Sequence, residues 1–165
     1  PLVLSIVSAH FGCKPTLSNI SLWWSLPGHA QAEHAELFHR DVDDWAFIKL
    51  FIYITEVDEN SGPHVFVRGS HRSSALTRIA RYSDEEVSAA FSESDILKLC
   101  APAGTSFLEN TYGIHKGQLP KSKRRLLLQA QYSLKPIGIL NYNPITPSTP
   151  VPAGIDPYIN RLYIR

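Results

Sequence analysis

The sequence predicts a mainly β domain, a sandwich or barrel with one clear helix, on three observations. Short apolar runs alternate with turn residues along most of the chain. A capping-box signature, Ser83 with Glu86 three residues on, opens the helix-forming stretch "DEEVSAAF". Hydrophobic residues make up 44% of the 165 and charged residues 19%, which describes a globular domain rather than a disordered chain. A domain of this length buries roughly two-thirds of the surface its unfolded form exposes, so it needs no disulfides or structural metal merely to fold.

Taken in order, the opening "PLVLSIVSA" lacks the basic start of a signal peptide, and no apolar stretch is long enough to span a bilayer. Strands are expected at 19–26 (NISLWWSL), 45–55 (WAFIKLFIYIT), 63–68 (PHVFVR), 96–101 (ILKLCA), 104–109 (GTSFLE) and 124–134 (RRLLLQAQYSL). "DENSG" (58–62), "APAG" (101–104) and "KGQLPKSK" (116–123) read as turns. The main helix is expected over 83–91. Prolines at 144, 147, 150, 152 and 157 exclude regular structure there, so 143–165 is expected to wrap the body as an ordered tail. No repeat or boundary divides the chain, which reads as one domain over 1–165.

A net charge of +1 gives no general drive towards nucleic acid or membrane. The one basic cluster, "KSKRR" (121–125), has no interleaved aromatics and reads as a loop feeding a strand. Two cysteines, Cys13 and Cys100, make no disulfide framework and point to a reducing, cytoplasmic compartment. The chain starts at Pro1 and contains no methionine, so an N-terminal part is expected to be missing. Nothing in it bears on oligomeric state.

The chemistry sits in "LFHRDVDDWAFIKLFIYI" (37–54), where polar groups stand at the mouth of an apolar run. Such groups cost free energy unless solvent, a hydrogen-bonded network or a metal satisfies them. In an extended segment residues i and i+2 point to the same side about 7 Å apart. His39 and Asp41 can therefore converge on one ion while Arg40 points away. His115 in "NTYGIHKG" is the candidate third ligand, placed after one strand and before a turn. Two imidazoles and one carboxylate leave three positions of a metal open, as in non-haem Fe(II) oxygenases. The same His-x-Asp also fits a surface turn with solvated charges.

Ten residues after His115, Arg125 opens the last strand. Alternation puts Arg125, Leu127, Gln129 and Gln131 on one face, and Arg124, Leu126, Leu128, Ala130 and Tyr132 on the other. The second face can pack in a core. The first meets water or lines a site, where Arg125 offers a planar fork to a carboxylate.

The order His-x-Asp, then "DENSGPHVFVRGSHR", then a distal histidine with an arginine ten residues on, resembles the phytanoyl-CoA dioxygenase family of Fe(II)/2-oxoglutarate oxygenases. The resemblance covers about 37–133, and "SLWWSLPG" upstream looks like the family's first barrel strand. It implies a double-stranded β-helix, a jelly-roll or cupin-like barrel. It further implies that His39, Asp41 and His115 bind iron and that Arg125 holds the distal carboxylate of 2-oxoglutarate. Counting back from the "NSG" turn, Phe51 falls where the family often has an aromatic beside this cosubstrate. The implied reaction is hydroxylation of a small molecule, coupled to conversion of the keto acid and O2 to succinate and carbon dioxide. Related halogenases carry a small residue where Asp41 stands, so the carboxylate favours hydroxylation. The chain departs from the family in lacking its longer helical N-terminal region. It also has Gly117 two residues after the distal histidine, where a hydroxyl donor is common. The alternative function is a barrel of the same fold that binds a metal or ligand without turnover.

Other residues divide less sharply. Lys49 shares the parity of Phe51, and either snorkels at an edge or faces substrate or cosubstrate. His71 is expected to brace its turn through hydrogen bonds, and His10, His29, His34 and His64, with no partner at ligand spacing, read as structural or exposed. Asp43 and Asp44 read as a solvated turn that could orient a substrate. Of Trp23 and Trp24, one is expected to face the core.

Overall fold

The structure is a computed structural model that describes residues 2–28 and 30–165. Among these residues, strands β1 (Thr16–Ser25), β2 (Phe47–Tyr53), β3 (His64–Val67), β4 (Ile96–Leu99), β5 (Ser106–Glu109), β6 (His115–Gly117) and β7 (Arg125–Ser133) form two sheets. One sheet has the order β1-β7-β2-β5 and the other β4-β3-β6, with every neighbouring pair antiparallel. The sheets face each other, Phe51 of β2 meeting the ring of His64 of β3 at 4.9 Å between centroids. This is the expected mainly β, jelly-roll architecture.

Register decides which side chains look inward. Gln129 of β7 lies between Ser21 of β1 and Phe51 of β2, and Gln131 between Asn19 and Lys49. The opposite parity, Ala130 and Tyr132 with Leu17, Ile48 and Leu50, packs outside the barrel. There Val7 of a helix and Ile159 of the C-terminal tail cover it. That helix, α1 (Leu2–Phe11), corrects the sequence analysis, which assigned residues 2–11 no element. It carries no acidic first turn and several β-branched residues, so local propensity is weak. Packing of Val3, Leu4, Val7 and Phe11 at helical spacing onto the sheet stabilises it instead.

The capping box forms as expected: Ser83 Oγ accepts from Glu86 N, and Glu86 reaches back to Ser83 N at 2.8 Å. The helix it starts, α2 (Asp84–Ala90), spans seven residues and is shorter than α1, so it is not the main helix. Its buried Val87 joins Phe38, Val65, Val67, Tyr82 and Ile114 in a core under the second sheet. The "DENSG" turn closes on Asp58, whose Oδ1 accepts from Asn60 N, Ser61 N and Ser61 Oγ. Gly62 ends it at φ +71°, where a Cβ would collide with the carbonyl of Gln118.

Residues 143–157 contain no helix or strand. The tail lies along the start of β1, where Leu17 N donates to Ile159 O and Arg161 to Thr16 Oγ1. No helix among the described residues is long and apolar enough to cross a membrane.

Candidate metal and keto-acid site

The segment before β2 and the start of β6 are tied together by a pair of backbone bonds. His39 N donates to His115 O and His115 N to His39 O, each at 3.0 Å. The two imidazoles consequently lie side by side, centroids 4.3 Å apart. Each ring uses Nδ1 on a carbonyl two residues before it, Leu37 O at 2.8 Å and Gly113 O at 2.9 Å. A carbonyl only accepts, so both Nδ1 atoms carry the hydrogen and both Nε2 lone pairs turn to the site. Asp41 faces them, with Oδ1 3.6 Å from His39 Nε2 and Oδ2 3.4 Å from His115 Nε2. One donor atom from each of the three lies within 4.8 Å of the others.

Arg40, pointing away as expected, holds this segment in place. Its buried guanidinium donates to the carbonyls of Leu76, Tyr112, Ser70 and Ala75. Asp41 N also donates to Thr111 O at 2.9 Å. Burial pushes the pKa of His39 down and that of His115 well down, which favours neutral imidazoles. Burial works to raise the pKa of Asp41, but Lys49, His115 and His39 outweigh it and hold the carboxyl at about 2. Two neutral imidazole nitrogens and a carboxylate oxygen, preset by second hydrogen bonds, fit a divalent transition metal.

The three side chains open into a cavity of about 580 Å³ that also reaches Arg125. Arg125 is 3% exposed, donating through Nη1 to Gly62 O and through Nη2 to Ser25 Oγ at 3.1 Å. Its Nε has no partner. Tyr53 also stands within hydrogen-bond reach of the guanidinium, and the donor left over in a residue that lines a cavity suits an anion. Leu127 and Gln129 line the same cavity, as alternation expects, and Arg124 is turned away onto the ring of Trp24 at 4.8 Å. Gly117 stands beside the guanidinium, where a Cβ would lie 3.1 Å from Nη2. Ser25, across the β1–β7 pair, puts its own hydroxyl against Arg125, with Oγ accepting from Nη2. Sequence reasoning missed Ser25; its signal was the pairing partner of the arginine, which only the register supplies.

Phe51 also lines the cavity, stacked on Phe107 at 5.2 Å. Lys49 does too, but its ammonium turns to Asp41 Oδ2 at 2.6 Å and Asp43 Oδ2 at 3.3 Å, so it does not snorkel. Asp43 is thereby tied to the site, whereas Asp44 caps a turn by accepting from Trp45 N and Lys135 N.

His64 takes the structural reading: it is buried, lines the cavity, and its Nε2 meets Glu109 Oε2 at 2.8 Å. Its ring stacks on that of His115 at 5.6 Å. That pairing spans 45 residues, so no local spacing announces it. His71 does not brace its turn, since its Nδ1 is buried without a partner. Ser70 does so, accepting from Ile114 N and donating to Val67 O. Neither Trp23 nor Trp24 is core; they are 36% and 45% exposed and stand at the cavity mouth, because β1 is an edge strand. His10 and His34 are exposed, His34 at the mouth, and His29 lies outside the described residues.

No family model matches the chain, and no curated protein does. Solved structures match in shape. "EctD from S. alaskensis with bound Fe" superposes with a TM-score of 0.61 at 17% identity over 99% of this chain and 59% of its own. The apo form of the non-heme monooxygenase ThoJ gives 0.60 at 17% over 84% of this chain and 55% of its own. SnoK, a non-heme alpha ketoglutarate dependent carbocyclase from nogalamycin biosynthesis, gives 0.57 at 15% over 79% and 54%. The chain thus spans less than two-thirds of the length of each of these proteins. At such identities the likeness shows the fold alone.

Proposed function

We propose that this chain is an Fe(II)/2-oxoglutarate-dependent dioxygenase that hydroxylates a small molecule. The observation that carries the reading is the convergence of two Nε2 lone pairs and one carboxylate in a cavity that Arg125 also lines. A metal site needs only the triad. The buried arginine with an unused donor gives a dicarboxylate cosubstrate its second anchor. The fold shared with the non-heme monooxygenase ThoJ and with iron-bound EctD agrees with this.

In this reading His39, Asp41 and His115 hold ferrous iron, and Arg125 with Ser25 holds the distal carboxylate of 2-oxoglutarate. Phe51 flanks the cosubstrate. When bound, iron, the keto acid and O2 supply the oxidation: one oxygen atom goes to the substrate C–H, the other to succinate, and carbon dioxide leaves. The protein orients the reactants in the cavity, and Trp23 and Trp24 border the entrance a substrate would use.

The test is anaerobic addition of 2-oxoglutarate to protein loaded with Fe(II). A weak visible charge-transfer band is expected in the wild type. In Asp41→Ala the band should be lost and iron binding weakened, because the anionic ligand is gone. Iron bound equally well by that variant would overturn the site. Iron binding without the band would leave a metal-binding barrel.

A further inference from the structure

Lys49 is buried in the middle of an apolar strand, where an ammonium is costly unless it is paired. Its direct neighbour across the β2–β5 pair, Glu109, is a buried carboxylate. Yet Lys49 does not turn to it: Glu109 gives Oε2 to His64 and keeps Oε1 without a partner. The ammonium reaches Asp41 Oδ2 at 2.6 Å and Asp43 Oδ2 at 3.3 Å. Two carboxylates from one turn therefore fix the head of a lysine that the strand brings up from below.

We propose that Lys49 is the positioning residue of Asp41, taking Oδ2 so that Oδ1 is the oxygen presented to a metal, while Asp43 holds the ammonium in place. The inference rests on the metal site proposed above. An oxygen already bound to an ammonium at 2.6 Å is a poor second ligand, so the carboxylate engages an ion through one atom. One-atom binding leaves three positions of a six-coordinate ion, two for a chelating keto acid and a third for O2, whereas two-atom binding would leave only two. Lys49 thus acts through Asp41 to keep that third position free, without holding the cosubstrate itself.

Lys49 also carries a positive charge beside a cation site, and this gives a readout that a merely structural role would not move. Removing the charge relieves repulsion of the ion, while releasing the carboxylate spoils the geometry. Co(II) titration of the apoprotein, followed by visible absorption and then by 2-oxoglutarate addition, separates the two effects. Lys49→Met should bind Co(II) no more weakly than wild type. Its visible spectrum should change as the carboxylate chelates through both oxygens, and 2-oxoglutarate affinity should fall as the chelate narrows the choice of positions left for it. Lys49→Gln, which keeps an N–H donor for Oδ2, should recover part of the wild-type spectrum and affinity. Asp43→Asn should shift both in the direction of Lys49→Met, to a smaller extent. An unchanged spectrum and 2-oxoglutarate affinity in Lys49→Met and Asp43→Asn would overturn the inference while leaving the metal site standing. So would Co(II) binding weakened equally in Lys49→Met and Lys49→Gln, which would mark a support of the fold. Failure of the wild type itself to bind Co(II) would instead overturn the metal site, and this inference with it.

Discussion

Arg124 and Arg125 are chemically identical neighbours with opposite surroundings. Arg125 is buried between Gly62 and Ser25, while Arg124 lies on Trp24. The proposed keto-acid contact is charge-assisted and worth about 1.5–3 kcal/mol, so Arg125→Ala should weaken 2-oxoglutarate binding by roughly 10- to 150-fold. Arg125→Lys should fall between, since it keeps the charge and loses the fork. Ser25→Ala should cost less than Arg125→Ala, because it removes one hydrogen bond and leaves the guanidinium charge in place. Arg124→Ala should leave the affinity unchanged. Isothermal titration with Fe(II) present and oxygen excluded checks the series, and iron affinity should stay constant throughout. Damage from Arg124→Ala alone would contradict the register that places Arg125 opposite Ser25.

At the scale of elements, α1 shows how packing overrides local preference. Val7 is fully buried against Leu17, Ile48, Leu50, Ala130 and Tyr132. Val7→Ala should lower unfolding stability by about 2 kcal/mol through lost burial and the cavity left behind. Val3 and Leu4, only partly buried, should cost less. Urea unfolding checks this, and an unaffected midpoint would mean that the helix does not hold the sheet. The cost should leave 2-oxoglutarate binding intact, because α1 covers the outer face of the sheet and the site lies within.

For the whole molecule, the buried histidines tie stability to pH. The unfolded chain takes protons on His39 and His115 as pH falls through the ordinary value of 6.5, whereas the buried rings resist them. Stability is therefore fully present above about pH 6.5 and declines below it. Asp41 works in a separate window: its contribution is present above 3.8 and lost as pH falls through about 2. Urea midpoints should thus drop between about pH 7.5 and 5.5, before any carboxylate is titrated. An ion held at the site should oppose the drop, since it binds the folded state and requires unprotonated rings. Equal midpoints at the two pH values without metal would show that the native rings accept protons freely.

What the sequence by itself determined are the properties set by adjacent residues. Alternation along β7 places Arg125, Leu127 and Gln129 on one face, the i, i+2 spacing carries His39 and Asp41, and Ser83 with Glu86 starts α2. These follow from strand and helix geometry whatever the rest of the chain does. Only the tertiary structure decided which distant groups meet. Ser25 reaches Arg125 across 100 residues, His64 reaches Glu109 across 45, and His115 is bonded to His39 through backbone atoms. The direction of Lys49 was likewise undecided: alternation placed it inward, but Asp41 and Asp43 made an inward ammonium tolerable. Helix α1 was invisible for the same reason, because the apolar face that stabilises it belongs to strands far along the chain. A side chain's face is a local property, but the partner that offsets its burial is supplied by the fold.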